Sequence, residues 1–595
     1  MTTHAADGLP PGPTGDRNAV WLTAARVVVG LLGVLLGLVL VTRPLTSVSL
    51  LLLALGVGLI VAGVIEALRG NDDAGGAPRH RWVRRLLAAL LVVAGLVVLF
   101  LPGLGLRLTV LLVGLLLLAQ GVREVLTGAL SRSLGARDRV ATLLSGASAI
   151  IFGLLALTWR DVTVLVLGLA FGAWLLVRGV RLLVETVGPR WLGRPREGRA
   201  SRGRPRIVLA ASSLVLALLL AAVGGRLLGT PHPDDFYTPP LDVPEAAGVL
   251  LRAEPFTRAV PDGATAWRIL YTTTRDEGMP AVASGLVVVP DGAQAAPVVA
   301  WDHGTTGVAV GCAPTLLADP LASGAMPDPA AVVDAGWAIV MTDYIGLGAD
   351  PPHEYLVGQG EARATLDAVR AAHQLPDAGL GDRTVVWGHS QGGGAALWTG
   401  GVAPGYAPEL DIVGVAAMAP AANLPAMIDA LAGDTAGTLV GPLVLAGFAE
   451  RYDDVRVSDY LRPEATLLYE ETLARCWSDP AMLVSVVGAV AIDRPIWRTD
   501  PNAGPLAQRL EENVPRLPIE APLLLAQGLA DTLVLPDAQR AYVEELCAAG
   551  QAVDYRTYEG QDHVGVVGPD SPLPGELLRW TADRFAGLPA DDTCP

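Results

Sequence analysis

The first 228 residues alternate long apolar stretches with short links whose charged residues are mostly arginine. Seven stretches are long enough, or nearly so, to cross a bilayer, because its hydrocarbon core requires about 20 apolar residues per helix. Backbone groups in lipid must be bonded within their own segment, so the pattern predicts helices. The predicted helices lie near residues 24–42, 47–68, 84–101, 107–127, 140–158, 162–184 and 207–228.

The first six apolar stretches form three helical hairpins that repeat every 58 residues. Repetition at a fixed period is typical of duplicated units, and aligned glycines favour close packing of membrane helices. The equivalent positions are the glycines at 37, 95 and 153, those at 63, 121 and 179, Pro44 with Pro102, and Glu66 with Glu124. The hairpins resemble HdeD-type acid-resistance membrane proteins over about residues 20–187. That resemblance implies a link to envelope or acid stress rather than a reaction. Because the charged residues of these helices lie near helix ends and no central acidic or histidine chain marks an ion path, we interpret this half mainly as an anchor.

Arginine placement predicts how these helices cross the membrane. Cytoplasmic links of membrane proteins carry an excess of arginine, and here the links after the second, fourth and sixth helices hold most of it. The N-terminus is therefore expected inside and, after an odd number of helices, residue 229 outside. The predicted parts are a cytoplasmic tail 1–23, a six-helix membrane domain 24–187, an arginine-rich cytoplasmic linker 188–206, a seventh helix 207–228 and an outer domain 229–595.

Composition changes sharply after the seventh helix. Residues 1–228 contain 24 arginines and 10 acidic residues, whereas residues 229–595 contain 19 arginines and 49 acidic residues. In the acidic part, strand-like runs alternate with helical ones, which indicates a water-soluble domain with a mainly parallel sheet. No nucleic acid is expected as a partner.

The segment Gly388-His389-Ser390-Gln391-Gly392 carries the central chemical signal. It matches G-x-S-x-G, the nucleophile elbow of α/β-hydrolases, in which a serine lies on a strained turn between a strand and a helix. A strand-like run, Thr384–Trp387, precedes the motif and a helical run follows it. Because this is the context that the motif requires, the sequence predicts Ser390 as a nucleophile at the carboxyl edge of the sheet.

A serine nucleophile needs a base and an acid that orients the base. In this fold they follow the serine in the order acid, then histidine, and of eight histidines only His563 follows Ser390. Asp531 is the preferred acid because it comes directly after a buried strand-like run, Pro522–Ala526. Asp562 adjoins His563, and adjacent side chains seldom align for an orienting bond.

An oxyanion hole for this chemistry requires two backbone donors. One is expected from the N–H of Gln391, directly after the nucleophile. The other is expected from the loop His303-Gly304-Thr305, which follows an earlier strand. The His303 side chain is interpreted as a structural part of this loop rather than as a base.

Several further segments resemble the secretory lipase family, typified by fungal lipase A. They are Phe236–Pro240, Leu270–Thr274, Asp302–Gly307 with Cys312–Pro314, Asp343–Gly348 and Tyr355–Gly358. The resemblance spans about 235–590 and implies an α/β-hydrolase with a helical insertion, acting on acyl esters without a metal or other cofactor. Carried over by position, it makes Ser390, Asp531 and His563 the triad. The fusion to seven membrane helices departs from these secreted relatives.

The four cysteines all lie in the acidic part of the chain, at 312, 476, 547 and 594. An even number there fits two disulfides in an oxidising compartment, although four cysteines allow three pairings. The lipase resemblance implies the pairs Cys312–Cys476 and Cys547–Cys594.

The predicted fold is therefore multi-domain. An all-α membrane domain of three repeated hairpins plus a seventh helix precedes an α/β-hydrolase domain with a helical cap insertion at about 420–520. Two apolar runs in that insertion, Leu439–Phe448 and Met482–Ile492, are too apolar for exposed loops. They form either the core of the cap or, as the lipase resemblance implies, an acyl-chain pocket.

The expected function is hydrolysis of lipid or other acyl esters outside the membrane. Acyl transfer to an envelope alcohol and peptide hydrolysis would use the same residues. A rival of another class is a membrane stress or scaffold protein with a vestigial hydrolase. The order serine, acid, histidine argues against that rival, and no oligomeric state is predicted.

Overall fold

A computed structural model describes residues 14–42, 48–69, 78–100, 102–131, 133–187, 204–227, 230–275, 278–376, 378–492 and 494–594. Pro44 and most of the predicted tail 1–23 and linker 188–206 lie outside the described residues. The chain divides into two compact units, the first made of Met1–Gly224 with the short segment Val490–Arg494 and the second made of Gly225–Ala489 and Pro495–Pro595.

Every predicted apolar stretch forms a helix. The helices are α1 (Thr14–Thr42), α2 (Val48–Arg69), α3 (Pro78–Phe100), α4 (Pro102–Leu130), α5 (Ala136–Thr158), α6 (Arg160–Val187) and α7 (Arg204–Leu227). Within the described residues, five of them (α1, α4, α5, α6 and α7) contain stretches long and apolar enough to cross a membrane. The shorter apolar stretches Gly56–Ile65 and Ala88–Phe100 lie in α2 and α3.

Glycines set the packing of the first unit. The closest helix pairs are α2 with α3, α4 with α5, and α6 with α1, so each tight contact joins neighbouring repeats rather than the two helices of one hairpin. A β-carbon at Gly95 would lie 2.6 Å from the carbonyl oxygen of Gly56, and one at Gly37 would lie 2.7 Å from that of Gly172. Because α6 returns to α1, the three repeats close into a ring.

The second unit is built on a nine-stranded sheet. Its strands are β1 (Leu250–Phe256), β2 (Ala264–Thr274), β3 (Pro280–Pro290), β4 (Ala296–Asp302), β5 (Ala338–Thr342), β6 (Leu380–His389), β7 (Asp411–Met418), β8 (Leu523–Gly528) and β9 (Asp554–Tyr558). They are ordered β1-β2-β3-β5-β4-β6-β7-β8-β9. Strands β5, β4, β6, β7, β8 and β9 run parallel to one another. Strands β1, β2 and β3 pair antiparallel in sequence, and β3 also pairs antiparallel with β5.

Helices cover both faces of this sheet. The helices of this unit are α8 (Pro320–Ser323), α9 (Pro329–Asp334), α10 (Gly358–Ala372), α11 (Gln391–Tyr406), α12 (Leu424–Leu431), α13 (Thr435–Arg451), α14 (Val457–Tyr460), α15 (Thr466–Leu473), α16 (Met482–Ala491), α17 (Gly504–Glu512), α18 (Pro536–Ala548) and α19 (Leu573–Phe585), of which α12 to α17 belong to the insertion between β7 and β8. One buried cluster packs α10, α11 and α18 on the sheet, and a second packs α9 and α19. Burial of both faces explains why the parallel strands read as continuous apolar runs.

The insertion between β7 and β8 contains the six helices α12 to α17. The first apolar run, Leu439–Phe448, lies within α13 and is largely buried. The second run forms α16. Leu439 of α13 packs with Met482 and Ala489 of α16 in one buried cluster, so these parts of both runs belong to the core of the cap.

Candidate active site

Ser390 lies on a sharp turn between β6 and α11, where its backbone has φ 58° and ψ −117°. A β-carbon at Gly388 would lie 1.9 Å from the carbonyl oxygen of Gly392, and one at Gly392 would lie 1.9 Å from that of Asp302. The two glycines of the motif are therefore required by space. A positive φ at serine is unfavourable, and the Ser390 N–H stabilises the turn by donating to the Met418 carbonyl at 3.0 Å.

His563 follows β9 and meets Ser390 across the sheet edge. Its Nε2 lies 2.8 Å from Ser390 Oγ, and its Nδ1 lies 2.7 Å from Asp531 Oδ2. With the proton on Nδ1 donated to the carboxylate, Nε2 is free to accept the serine proton. The three residues predicted to act together are thus brought together. Asp562 instead accepts the Gly565 N–H at 2.7 Å.

The Asp531 side chain is fully buried and held by backbone donors. Its Oδ1 accepts the N–H groups of Leu533 at 2.8 Å and Val534 at 2.9 Å. Burial opposes ionisation, but the bond and charge of His563, together with these N–H donors, lower the pKa of Asp531 below its ordinary value. The carboxylate therefore stays charged and fixed beside the imidazole.

The loop after β4 approaches the elbow, as an oxyanion hole requires. Gly304 lies against His389, the residue before the nucleophile. The Gly304 N–H donates to the Gly324 carbonyl at 3.0 Å, so another N–H of the loop is better placed to bind an oxyanion. The N–H groups of His303 and Thr305 remain as candidate donors, and the Thr305 hydroxyl lies 2.7 Å from Tyr355 Oη.

The buried histidines near the serine have structural roles. Burial lowers the pKa of His303 to about 4 and that of His389 to about 3, so both rings are neutral. His303 Nδ1 lies 2.7 Å from the Gly304 carbonyl, which agrees with a structural role in this loop. His389 Nε2 donates to the His563 carbonyl at 2.8 Å and thereby positions the loop that carries the candidate base.

A buried polar network behind Gln391 was not predicted from the sequence. The Gln391 side chain donates to Glu361 Oε1 at 2.7 Å and lies 3.2 Å from His353 Nε2. The Leu356 N–H also donates to Glu361, at 3.2 Å. This network fixes Gln391, whose backbone N–H is the first expected oxyanion donor. Its members lie 30 and 38 residues from Gln391 in the chain, so no local pattern signals their association.

Burial raises the pKa of Glu361 from 4.5 to about 7. Between these pH values the Glu361 carboxyl is protonated in the folded chain and ionised in the unfolded chain. The free energy of unfolding therefore falls as the pH rises from 4.5 to about 7. We expect Glu361→Gln to reduce the decline in Tm between pH 5 and 8 by roughly 2–4 °C, measured on the full-length protein. The exposed Glu559→Gln is the control. An unchanged decline in Glu361→Gln would contradict this prediction.

A serine bonded to a histidine and a buried carboxylate, on a mainly parallel sheet covered by helices, defines the second unit as an α/β-hydrolase. Residues 329–593 match the family model of the secretory lipases. Residues 28–100, 86–157 and 144–222 each match a short repeat of unknown function called DUF308. The chain thus joins a segment similar to the secretory lipases to three segments similar to this repeat, and it is an enzyme of the lipase and esterase class.

Individual relatives agree with this classification. A secreted triacylglycerol lipase of Malassezia globosa is 27% identical over 409 residues, which cover 64% of this chain and 87% of the relative. A probable inactive lipase of Mycobacterium tuberculosis is 26% identical, covering 69% of this chain and 90% of its own length. Candida antarctica lipase A has the same fold, with 19% identity and a TM-score of 0.51 over 61% of this chain and 87% of that structure.

Both disulfides implied by the lipase resemblance are present. Cys312 pairs with Cys476, and Cys547 pairs with Cys594. The first bond joins the segment after the oxyanion loop to the cap, and the second ties the C-terminal tail to α18. Within the described residues no cluster of three or more histidine, cysteine or acidic side chains is arranged to hold a metal ion.

Proposed function

We propose that this protein hydrolyses carboxylic esters through an acyl-enzyme formed on Ser390, at the outer surface of the membrane that anchors it. The observation that carries the proposal is the bonded series from Ser390 Oγ through His563 to Asp531. One similar protein is called inactive. In this chain the nucleophile, base and acid are all within hydrogen-bonding distance, which favours activity over a vestigial hydrolase.

The geometry supports the following course. Ser390 Oγ attacks the acyl carbon while His563 Nε2 takes its proton, and Asp531 stabilises the imidazolium. The oxyanion binds the N–H of Gln391 and an N–H of the loop His303-Gly304-Thr305. His563 then protonates the leaving alcohol, and the alcohol departs. Water, deprotonated by His563, attacks the acyl carbon, and the proton passes back to Ser390 as the acid is released.

Fluorophosphonate labelling of the full-length protein tests this proposal, because the reagent reacts with activated serines. We expect labelling at Ser390 and none in Ser390→Ala. Competition between water and added alcohols then separates hydrolysis from acyl transfer, since transfer would give a new ester at the expense of free acid. Failure of Ser390 to label would leave a vestigial hydrolase as the better explanation.

We further propose that α1 to α7 cross the membrane with the N-terminus in the cytoplasm and the hydrolase outside. The arginine-rich links and the two disulfides of the second unit support this orientation. A reporter that is active only outside the cytoplasm should be active when fused after residue 235 and inactive when fused after residue 196. The reverse pattern would refute the proposed orientation.

A further inference from the structure

Tyr355 is a buried tyrosine that contacts the loop following β4. It lies in the short segment His353–Gly358, which leads into α10. Its side chain is 4% exposed, and its Oη lies 2.7 Å from Thr305 Oγ1. Thr305 is half-buried, whereas Gly304 and Thr306 on either side of it are buried. The phenol is thus hydrogen-bonded to the partly exposed residue of the loop that is expected to supply the second oxyanion donor.

This loop lies directly against the nucleophile elbow. A β-carbon at Gly392 would lie 2.7 Å from the His303 carbonyl oxygen, and one at Gly304 would lie 3.3 Å from His389 Nδ1. Stabilisation of an oxyanion requires donors that are held at about 2.7–3.1 Å from the developing charge. A displacement of the loop would therefore weaken that stabilisation, and any group that fixes the loop contributes to it.

The segment that carries Tyr355 also holds the residue of the first oxyanion donor. His353 Nδ1 donates to the Ile345 carbonyl at 2.8 Å, so its Nε2 accepts from the Gln391 side chain at 3.2 Å. The rings of His353 and Tyr355 meet edge to face, with centroids 6.1 Å apart. Residues two apart in the chain thus hold both expected sides of the oxyanion hole.

Tyr355 is itself held from two directions. The N–H of the next residue, Leu356, donates to the buried Glu361 at 3.2 Å. Helix α13 of the cap packs on the Tyr355 backbone, because a β-carbon at Gly447 would lie 2.5 Å from the Tyr355 nitrogen. Burial raises the pKa of the Tyr355 phenol, so its hydroxyl keeps its proton near neutral pH. The hydroxyl is therefore a fixed, neutral partner for the loop.

From these contacts we propose that Tyr355 is a positioning residue for the oxyanion hole, because its hydroxyl fixes Thr305 and with it the loop N–H that binds the oxyanion. Tyr355 acts through Thr305 rather than on the ester. This inference rests on the proposed hydrolysis at Ser390. Loss of the phenol hydroxyl should slow the chemical step and leave binding of the ester nearly unchanged, since the oxyanion exists only after attack.

Tyr355→Phe in the full-length protein tests the proposal, because it removes the hydroxyl and keeps the ring. We expect kcat for a nitrophenyl ester to fall about 10- to 100-fold with KM within about twofold, since small displacements of catalytic groups cause losses of this size. Tyr542→Phe is the matched control. It removes another buried phenol hydroxyl, which donates to the Pro515 carbonyl instead, and it should keep its kcat. An unchanged kcat in Tyr355→Phe, or a loss confined to KM, would overturn the proposal.

A transition-state analogue separates positioning from general damage. With a trifluoromethyl ketone, Ser390 Oγ adds to the carbonyl carbon, His563 Nε2 takes the serine proton, and the carbonyl oxygen becomes an oxyanion. The inhibition constant should rise in Tyr355→Phe by about the factor by which kcat falls. An unchanged inhibition constant would contradict the positioning role. Absence of both turnover and adduct in the unaltered protein would instead reject the proposed function.

Variants of Thr305 test the same bond from its other end, independently of how stable Tyr355→Phe is. Thr305→Val removes the partner hydroxyl and should lose kcat to a similar extent, and adding Tyr355→Phe should cost less than about a further twofold. Thr305→Ser keeps a hydroxyl and should be at least about fivefold faster than Thr305→Val. Additive losses in the double variant, or equal rates of Thr305→Ser and Thr305→Val, would show that the two hydroxyls do not act together and would overturn the proposal.

Discussion

Replacing Ser390 with alanine should reduce kcat for ester hydrolysis by about 10⁴- to 10⁶-fold, with little change in KM. The substitution removes the atom that forms the acyl-enzyme and leaves His563 without a proton to accept. Because nucleophile and base act as one unit, adding His563→Ala to Ser390→Ala should cause little further loss. Nitrophenyl ester turnover by the full-length protein measures both effects.

A structural effect of this substitution is separable from the chemical one. Ser390 Oγ is bonded to His563, whereas the Ser390 backbone N–H and carbonyl hold the turn. Alanine keeps those backbone bonds, so Tm should change little. Ser458→Ala, at an exposed position in the cap, is the matched control and should keep full turnover. Retention of more than about a tenth of the activity by Ser390→Ala would contradict the nucleophile assignment.

The features predicted best from the sequence are those that depend on neighbouring residues. Apolar length alone located the seven helices, because lipid imposes helical structure on any such segment. The elbow at Ser390 was predicted from the succession of strand, glycine-flanked serine and helix. His563 followed from order along the chain, since only one histidine lies beyond the serine.

The features that escaped prediction depend on residues far apart in the chain. The pairing of α6 with α1, which closes the three repeats into a ring, joins segments more than 100 residues apart. The bond from Glu361 to Gln391 depends on how α10 packs beside α11. The bond from the Gly304 N–H to the Gly324 carbonyl joins two loops about 20 residues apart, which no local pattern signals.

Replacing Asp531 with asparagine should reduce kcat by about 10³- to 10⁴-fold, somewhat less than loss of the nucleophile. The cause lies in the donors around the carboxylate. Leu533 and Val534 both donate to Oδ1, so the oxygen of the amide will occupy this position. Its NH₂ group then faces His563 Nδ1, where Oδ2 accepts a proton in the unaltered protein. The imidazole must accept at Nδ1 and carry its proton on Nε2, and that nitrogen can no longer take the proton of Ser390.

This prediction separates orientation of the base from general loss of charge near the site. Asp562→Asn removes a carboxylate directly beside His563 in the chain, but Asp562 bonds to the Gly565 N–H rather than to the ring. We expect its turnover to stay within about threefold of the unaltered protein, whereas Asp531→Asn should also label with fluorophosphonate far more slowly. An equal or larger loss in Asp562→Asn, or near-normal turnover in Asp531→Asn, would assign the orienting role to another acid. Because Oδ1 is fixed by two backbone donors, the loss in Asp531→Asn should appear in kcat rather than in KM.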